Sequence, residues 1–215
     1  MKIINGEQKT IEEWKKWRET ILTASDVVKC ITPKKMEIGK QYINIARKIA
    51  LAQFGISDDL EDFDFKTQTM ERGNRLEEEY GKKLDGNWLK NYCISCIVDE
   101  VSLKKIDLEI GASFDFINFK DEKLIELKCP LSYNFLDEIE NFSNEFIIQC
   151  KFQLYVLLKA RDESFSGKVI VYHDKIGEIK KDVSLEQHDI DLFNDLCMKV
   201  SDEIILTKNK IASFL

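Results

Sequence analysis

The chain has 215 residues, of which 44% are hydrophobic and 33% are charged, and its formal net charge is −7. This composition is typical of a globular domain, and no apolar run approaches the roughly 20 residues that a membrane-spanning helix needs. The acidic charge has the wrong sign for a protein that coats nucleic acid by bulk attraction, although a localised basic channel can coexist with an acidic surface.

The N-terminal stretch MKIINGEQKT lacks the apolar core of a signal peptide, and the six cysteines are few and scattered. Both features favour a cytoplasmic protein with buried thiols and no membrane partner. Cys93 and Cys96 are closely spaced, but no second pair or nearby histidine completes a zinc ligand set. We therefore interpret both cysteines as structural.

Hydrophobic spacing predicts four helices in the first part of the chain. They are predicted over residues 8–20, from near residue 26, over 40–54 and over 67–84. Thr23 or Ser25 can cap the second of these helices, because a hydroxyl at a helix start accepts a hydrogen bond from a free backbone N–H.

The pattern changes after residue 88, where apolar residues alternate or form short runs. Three antiparallel strands are predicted over 88–128, a helix over 134–160, strands at 168–173 and 178–185, and a long helix over 185–213. The result is an α/β fold in which helices flank a central mixed sheet. We expect one domain, residues 1–215, whose N-terminal helical part, about residues 1–85, packs on the sheet.

The stretch KLIELKCP places an acid and a base two positions apart in an apolar run. In a strand, Glu126 and Lys128 share one face, while Ile125 and Leu127 point into a core on the other face. Desolvating both charges is costly. The pair is therefore either an ion pair at a sheet end or part of a metal site.

Asp115, in the upstream segment GASFDF, favours the metal site. Ten residues, 116–125, separate it from Glu126, and this gap suits a hairpin that brings the two carboxylates together. Converging carboxylates, with the Leu127 carbonyl as a further ligand, suit Mg²⁺ or Mn²⁺. Lys128 beside the ion can orient or deprotonate an attacking water and stabilise charge on a phosphate. This Asp, Glu-x-Lys pattern is the signature of the PD-(D/E)XK nuclease fold.

Four segments, in order, resemble the phage-lambda-type exonucleases, also called the YqaJ-like viral recombinase family. EEWKKWRETILTASDV is similar to the opening motif, MERGNRLEEEY to the Met-x-Arg-Gly-x-x-x-Glu helix, GASFDF…LIELKCP to the catalytic hairpin, and FIIQCKFQLYV to the Gln-x-Gln helix. The resemblance covers roughly residues 12–160 and implies the restriction-endonuclease-like core of the PD-(D/E)XK superfamily.

The resemblance also implies roles for particular residues. The implied metal ligands are Asp115, Glu126, the Leu127 carbonyl and Glu77, and the other catalytic residues are Lys128 and Gln149. The residues implied to bind the 5′-terminal phosphate or the DNA are Arg18, Ser25, Thr23 and Lys151. Arginine is a bidentate phosphate donor, and a helix start with a hydroxyl and free backbone amides suits an anion.

The sequence departs from the family pattern at three positions. Phe114 and Phe116 flank Asp115, where smaller residues are usual, and Lys151 replaces the second glutamine of the Gln-x-Gln helix. Lys151 can add a phosphate contact or point to solvent. None of these changes removes an implied metal ligand.

The resemblance implies a Mg²⁺-dependent exonuclease, with Mn²⁺ able to substitute, that digests linear double-stranded DNA from a 5′ end and exposes single strand for recombination. It further implies a homotrimeric ring on DNA ends and a single-strand annealing recombinase as partner. Two alternatives stay open. One is an endonuclease of the same fold, restriction-type or CRISPR-adaptation-like, and the other is a catalytically idle acidic interaction protein.

Overall fold

A computed structural model describes residues 2–56, 68–101 and 104–214. Helices α1–α7 span Ile11–Glu19, Ala24–Cys30, Tyr42–Gln53, Gln68–Gly81, Ser132–Glu140, Asn144–Arg161 and Gln187–Ala212. Strands β1–β10 span Lys2–Ile4, Glu7–Lys9, Leu22–Thr23, Ile31–Thr32, Glu37–Ile38, Leu89–Val101, Lys104–Asn118, Lys123–Lys128, Ser166–His173 and Gly177–Val183. Among these helices, none is both long and apolar enough to cross a membrane.

The central sheet is mixed, as predicted. Its strands run in the order β10-β9-β8-β7-β6-β1-β2, and β3 pairs with β7 outside this path. The pairs β8–β9, β1–β6 and β3–β7 are parallel, and the other pairs are antiparallel. The predicted antiparallel meander is confirmed as β6, β7 and β8.

The first part of the chain contains strands that the sequence reading missed. β1 and β2 form a hairpin around Asn5 and Gly6, both with positive φ (48° and 89°). Thr10 then starts α1 through a capping box with Glu13, so the helix predicted from residue 8 begins at Ile11. β4 and β5 form a second, separate hairpin. The predicted start of the fourth helix at residue 67 lies outside the described residues.

The helix predicted over residues 134–160 is in fact two helices, α5 and α6. They are separated at residues 141–143, where the Ser143 N–H donates to the Glu138 carboxylate at 2.7 Å. Asparagine and serine favour helix ends because their side chains compete with backbone hydrogen bonds. Thr23, rather than Ser25, caps α2, and its hydroxyl accepts from the Asp26 N–H at 3.3 Å.

Helices pack on both faces of the sheet. On one face the buried residues of α6 meet α7, where the rings of Phe152 and Phe193 lie 5.2 Å apart. On the other face Leu76 of α4 joins a smaller apolar cluster with Ile125 and Leu127 of β8. The predicted inward direction of these two β8 residues is therefore confirmed, and α4 is held beside the strand that carries Glu126 and Lys128.

Gly111 of β7 gives a test of this packing. A Cβ at this position would lie 2.5 Å from Ile21 Cδ1, 2.9 Å from Trp17 Cζ2 and 3.2 Å from the Ile94 carbonyl oxygen. We expect Gly111→Ala to lower the free energy of unfolding in urea by about 1–3 kcal/mol through overpacking. Gly73→Ala in α4, where a Cβ meets nothing within 4 Å, is the control. It should be neutral or stabilising by up to about 1 kcal/mol, and equal effects at the two glycines would contradict the packing described.

Candidate active site

Two strands share one edge of β7, and Asp115 lies in the gap between them. β8 pairs with β7 as far as Phe116, and β3 pairs with it at Ile110 and Gly111. In the gap, the Asp115 carboxylate replaces a backbone partner, because its Oδ2 accepts a hydrogen bond from the Leu127 N–H at 2.7 Å. The interrupted pairing leaves room for a polar cleft at this point of the sheet.

The other edge of β7 is irregular at the same level. The ladder between β6 and β7 passes over Asn91, the residue opposite Asp115. Asn91 has a left-handed backbone (φ 60°), which asparagine tolerates better than most residues. Its side-chain oxygen accepts a hydrogen bond from the Lys2 ammonium at 2.7 Å. This distortion brings a second lysine to the edge of the cleft.

Glu126 and Lys128 lie on one face of β8, as predicted. Glu126 is only 2% exposed, and its Oε1 is 2.5 Å from the Lys128 Nζ. The same ammonium donates to the Gln149 Oε1 at 3.1 Å, so α6 also holds the lysine. The acid and base form an ion pair, which was one of the two alternatives raised by the sequence, and this pair lies within the cleft.

Neighbouring charges in the cleft shift the pKa values of both Asp115 and Lys128. Burial raises the pKa of Asp115 well above its usual value, and the charges of Glu126 and Glu77 raise it further. Burial lowers the pKa of Lys128, but the charges of Glu126 and Asp115 outweigh this effect and place that pKa above its usual value. Lys128 is therefore an ammonium at neutral pH and partly neutralises the two acids.

The cleft has a volume of about 290 Å³ and is lined by residues from β1, α1, β3, the start of α2, α4, β7, β8 and α6. The structure brings together here every predicted site residue except Lys151. They are Arg18, Thr23, Ser25, Glu77, Asp115, Glu126, Leu127, Lys128 and Gln149.

Arg18 and Ser25 face each other across the join between α1 and α2. The Arg18 Nη2 donates to the Ser25 Oγ at 3.2 Å, and its guanidinium carbon lies 4.8 Å from the centre of the Trp14 ring. Stacking on tryptophan fixes the guanidinium plane. Thr23 is almost fully buried, and its hydroxyl donates to the Asp26 carboxylate at 2.6 Å.

The carboxylates suit a hard divalent cation by chemical type. Asp115 and Glu126 offer oxygen ligands, and neighbouring acids that repel each other favour a cation between them. Within the described ranges, however, no three His, Cys, Asp or Glu side chains form a ready group for a metal ion. The Glu77 Oε2 lies 3.5 Å from the Lys90 Nζ, and Glu126 is paired with Lys128. A bound cation would have to compete with these lysines.

Lys151 does not reach the cleft. Its Nζ lies 2.8 and 2.7 Å from the two carboxylate oxygens of Asp189 on α7, a residue with no exposed side-chain surface. Lys151 lies two positions after Gln149, which places it on a different side of α6. Its predicted phosphate contact has no support from this geometry.

The sequence reading missed Gln153, whose side chain is fully buried. Its Nε2 donates to the Glu126 Oε2 at 2.6 Å and to the Ser113 carbonyl at 3.0 Å. The signal was present, because Gln153 follows Gln149 by one helical turn inside an apolar run. A buried amide is costly unless it is hydrogen-bonded.

Arg72, the arginine of the MERGNRLEEEY segment, also received no role from the sequence. It donates to the carbonyls of Cys129 and Pro130 at 3.0 Å each and pairs with Asp174 at 3.1 Å. These contacts tie α4 to the segment that follows Lys128.

The central mixed sheet with flanking helices is the PD-(D/E)XK-like fold expected from the sequence, and it brings Asp115, Glu126 and Lys128 together. The family model of the YqaJ-like viral recombinase domain matches residues 13–167, about three quarters of the chain, and the protein belongs to this family. No curated protein matches the sequence at a significant level.

Solved structures share the fold. An alkaline exonuclease from Laribacter hongkongensis is 19% identical, with 95% of this chain and 100% of that chain covered and a TM-score of 0.65. The same exonuclease in complex with dAMP is 18% identical over the same shares, with a TM-score of 0.63. A phage-related exonuclease from Haemophilus somnus 129PT is 10% identical over 94% of this chain and 100% of that chain, with a TM-score of 0.55.

The placement of Lys151 predicts a structural effect of its removal. Lys151→Met should lower the free energy of unfolding by about 3 kcal/mol, because it leaves the buried Asp189 carboxylate without its cation. Affinity for DNA should be unchanged. Lys159→Met, at an exposed position on the same helix, should change stability by less than about 0.5 kcal/mol. Loss of DNA affinity at full stability in the Lys151 variant would instead support the phosphate contact.

Proposed function

We propose that this protein is a divalent-metal-dependent exonuclease that digests one strand of linear double-stranded DNA from the 5′ end, exposing the other strand for recombination. Family membership supports the statement that the chain is a DNA exonuclease. One observation supports the proposed metal dependence and the proposed action from 5′ ends. A single cleft is lined both by the Asp115, Glu126 and Lys128 cluster and by the Arg18–Ser25 pair.

The residues that would hold Mg²⁺, or Mn²⁺ in its place, are Asp115, Glu126, the Leu127 carbonyl and Glu77. A bound divalent cation supplies Lewis acidity, which polarises the scissile phosphate and lowers the pKa of water. The chain brings together the half-buried Asp115 carboxylate and the buried Glu126 carboxylate, which the gap between β8 and β3 makes possible.

Lys128 supplies positive charge at the scissile phosphate. The charges of Glu126 and Asp115 raise its pKa, and the Gln149 Oε1 accepts a hydrogen bond from the ammonium and holds it in the cleft. A fixed ammonium stabilises the negative charge that develops on the phosphate oxygens during attack by water. Gln149 orients Lys128 and donates nothing to it, because the amide oxygen is the acceptor.

Arg18 and Ser25 would bind the 5′-terminal phosphate. The guanidinium is already oriented by Trp14 and the Ser25 hydroxyl, so little side-chain freedom is lost when the phosphate arrives. Arginine and a phosphate form two parallel charge-assisted hydrogen bonds. Recognition of the terminal phosphate in the catalytic cleft would restrict cleavage to strand ends.

The experiment that tests the function is digestion of linear duplex DNA labelled at either the 5′ or the 3′ end, beside a covalently closed circle. We expect rapid release of the 5′ label in Mg²⁺, slow release of the 3′ label, and an intact circle. Nicking of the circle would favour an endonuclease of the same fold. No cleavage of any substrate would favour the idle interaction protein.

Substitution of Asp115 tests the catalytic cluster. Asp115→Asn should lower the cleavage rate by more than about a hundredfold, because metal activation contributes several kcal/mol. The pKa of Asp115 is higher in the folded protein than in the unfolded chain. At pH values above the unfolded-state pKa, the ionised carboxylate therefore lowers the free energy of unfolding. Metal-free stability at neutral pH should therefore hold or rise. Asp107→Asn, exposed on the same strand, is the control and should leave both quantities unchanged. Nearly full activity in the Asp115 variant would remove it from the metal ligands.

Arg18→Ala tests the phosphate pocket. The wild-type protein should prefer 5′-phosphorylated over 5′-hydroxyl ends, and Arg18→Ala should abolish the preference because the bidentate contact is lost. The ratio of the two rates cancels general damage to the enzyme. Lys16→Ala removes one charge from an exposed position of the same helix and should keep the preference. If Arg18→Ala slows both substrates equally, the phosphate pocket lies elsewhere.

We further propose that the protein acts in the cytoplasm on double-stranded DNA ends as a homotrimeric ring, with a single-strand annealing recombinase as partner. A ring would gather the basic residues of three acidic chains around one channel. Sedimentation should then report a mass near three times 25.1 kDa. A stable monomer that digests DNA processively would contradict the ring.

A further inference from the structure

We propose that Gln153 is a positioning residue that fixes the Glu126 carboxylate for cation binding. The inference rests on the proposed metal dependence and adds Gln153 to the residues that would form the metal site. Gln153 lies outside the cleft lining and contacts the site only through Glu126 and the backbone of β7.

The contact is short and buried. The Gln153 Nε2 donates to the Glu126 Oε2 at 2.6 Å, Gln153 has no exposed surface, and Glu126 is 2% exposed. A buried hydrogen bond from a neutral donor to a charged acceptor is stronger than one between two neutral groups. It holds Oε2 on the α6 side and leaves Oε1 directed to Lys128.

The orientation of the amide is determined by its neighbours. Nε2 faces two acceptors, the Glu126 carboxylate and the Ser113 carbonyl, so a reversed amide would place oxygen against oxygen twice. The Gln153 Oε1 is buried and has no hydrogen-bond partner among the described residues. Nε2 therefore donates two hydrogen bonds at the site, whereas Oε1 accepts none from the described residues. An unsatisfied buried acceptor lowers the stability of the fold, so this arrangement favours a functional role for Gln153.

Gln153 also spans the gap in the sheet. Ser113 belongs to β7 and Glu126 to β8, and the two strands no longer pair at this level. One amide therefore links strands that have lost their backbone hydrogen bonds. Together with the contact from the Asp115 Oδ2 to the Leu127 N–H, it sets the distance between the two carboxylates.

Without Gln153, the Glu126 Oε2 would have no donor on its buried side. The carboxylate would turn to find one, and Asp115 and Glu126 would lose their common orientation. Groups that orient metal ligands typically change metal affinity by about 10- to 100-fold when they are removed. We therefore expect Gln153→Met, which keeps the side-chain length but removes both donors, to weaken cation binding by about tenfold or more.

The test is calorimetric titration of the DNA-free full-length protein with Mn²⁺. Wild type should bind Mn²⁺, and Gln153→Met should show a Kd at least about tenfold higher. Gln149→Met, one turn earlier, removes a contact to Lys128 only and should keep the wild-type Kd while lowering the cleavage rate. Tyr155→Phe removes a partly buried hydrogen bond of the same helix, from the Tyr155 hydroxyl to Asn194, and should leave both Kd and rate unchanged.

The outcomes separate the two proposals. If wild type does not bind Mn²⁺, the proposed metal dependence fails and this inference fails with it. If wild type binds and Gln153→Met binds equally well, only the positioning role is overturned. If Tyr155→Phe weakens binding as much as Gln153→Met, general loosening of α6 explains the effect and the role is likewise refuted.

A wild-type measurement covers the case in which Gln153→Met does not fold. In protein with ¹⁵N-labelled glutamine side chains, the Gln153 amide protons should exchange slowly, and their signals should shift as Mg²⁺ saturates the protein. A Gln153 amide signal that is insensitive to saturating Mg²⁺ would overturn the inference.

Discussion

The site depends on an interruption of backbone hydrogen bonding along one edge of β7. A sheet normally satisfies its backbone groups through continuous pairing, and an unpaired buried N–H or carbonyl costs free energy. Here β8 and β3 share the edge, and Asp115 lies between them. Side chains replace the missing pairs, since the Asp115 carboxylate accepts from the Leu127 N–H and the Gln153 amide donates to the Ser113 carbonyl. Polar side chains can therefore enter the gap between β8 and β3, whereas this edge of β7 is paired with those two strands on either side of the gap.

The charge of the buried Glu126 carboxylate must be compensated by hydrogen bonds and opposite charge from neighbouring side chains. Glu126 receives hydrogen bonds from Lys128 and Gln153, one to each carboxylate oxygen. Asp115 is less well compensated, which is why its pKa is raised by burial and by neighbouring acids. Without a cation, the ionised form of Asp115 is therefore disfavoured. A divalent cation would stabilise that form, and Lys128 would then be free to face a bound phosphate.

The supporting elements reach the cluster from both faces of the sheet. α6 presents Gln149 and Gln153 from one side, one turn apart. α4 packs on the other side through Leu76, and Arg72 ties this helix to the carbonyls that follow Lys128. Residues from both helices therefore converge on the end of β8. Without such rigid support, repulsion between the Asp115 and Glu126 carboxylates would separate them.

The local features of the fold were predictable from the sequence. Strand alternation in KLIELKCP correctly predicted the directions of Glu126 and Ile125, and the meander followed from the alternating and clustered apolar residues over 88–128. The Asn5-Gly6 dipeptide is a strong signal for a two-residue hairpin, but it was overlooked. β3 has only two residues and pairs with a strand nearly 90 positions away, so no local pattern identifies it. Lys151 pairs with Asp189 because α7 packs on α6, and that contact is decided by tertiary structure.

The central claim is that Asp115 and Glu126 form one cation site in the gap between β8 and β3. Anomalous diffraction from crystals soaked in Mn²⁺ tests it most directly. The proposed site predicts a strong anomalous peak roughly 2 Å from carboxylate oxygens of both residues, with the Lys128 ammonium withdrawn from the Glu126 Oε1. A cleft without a peak at saturating Mn²⁺, in which Lys128 still contacts Glu126, would contradict it.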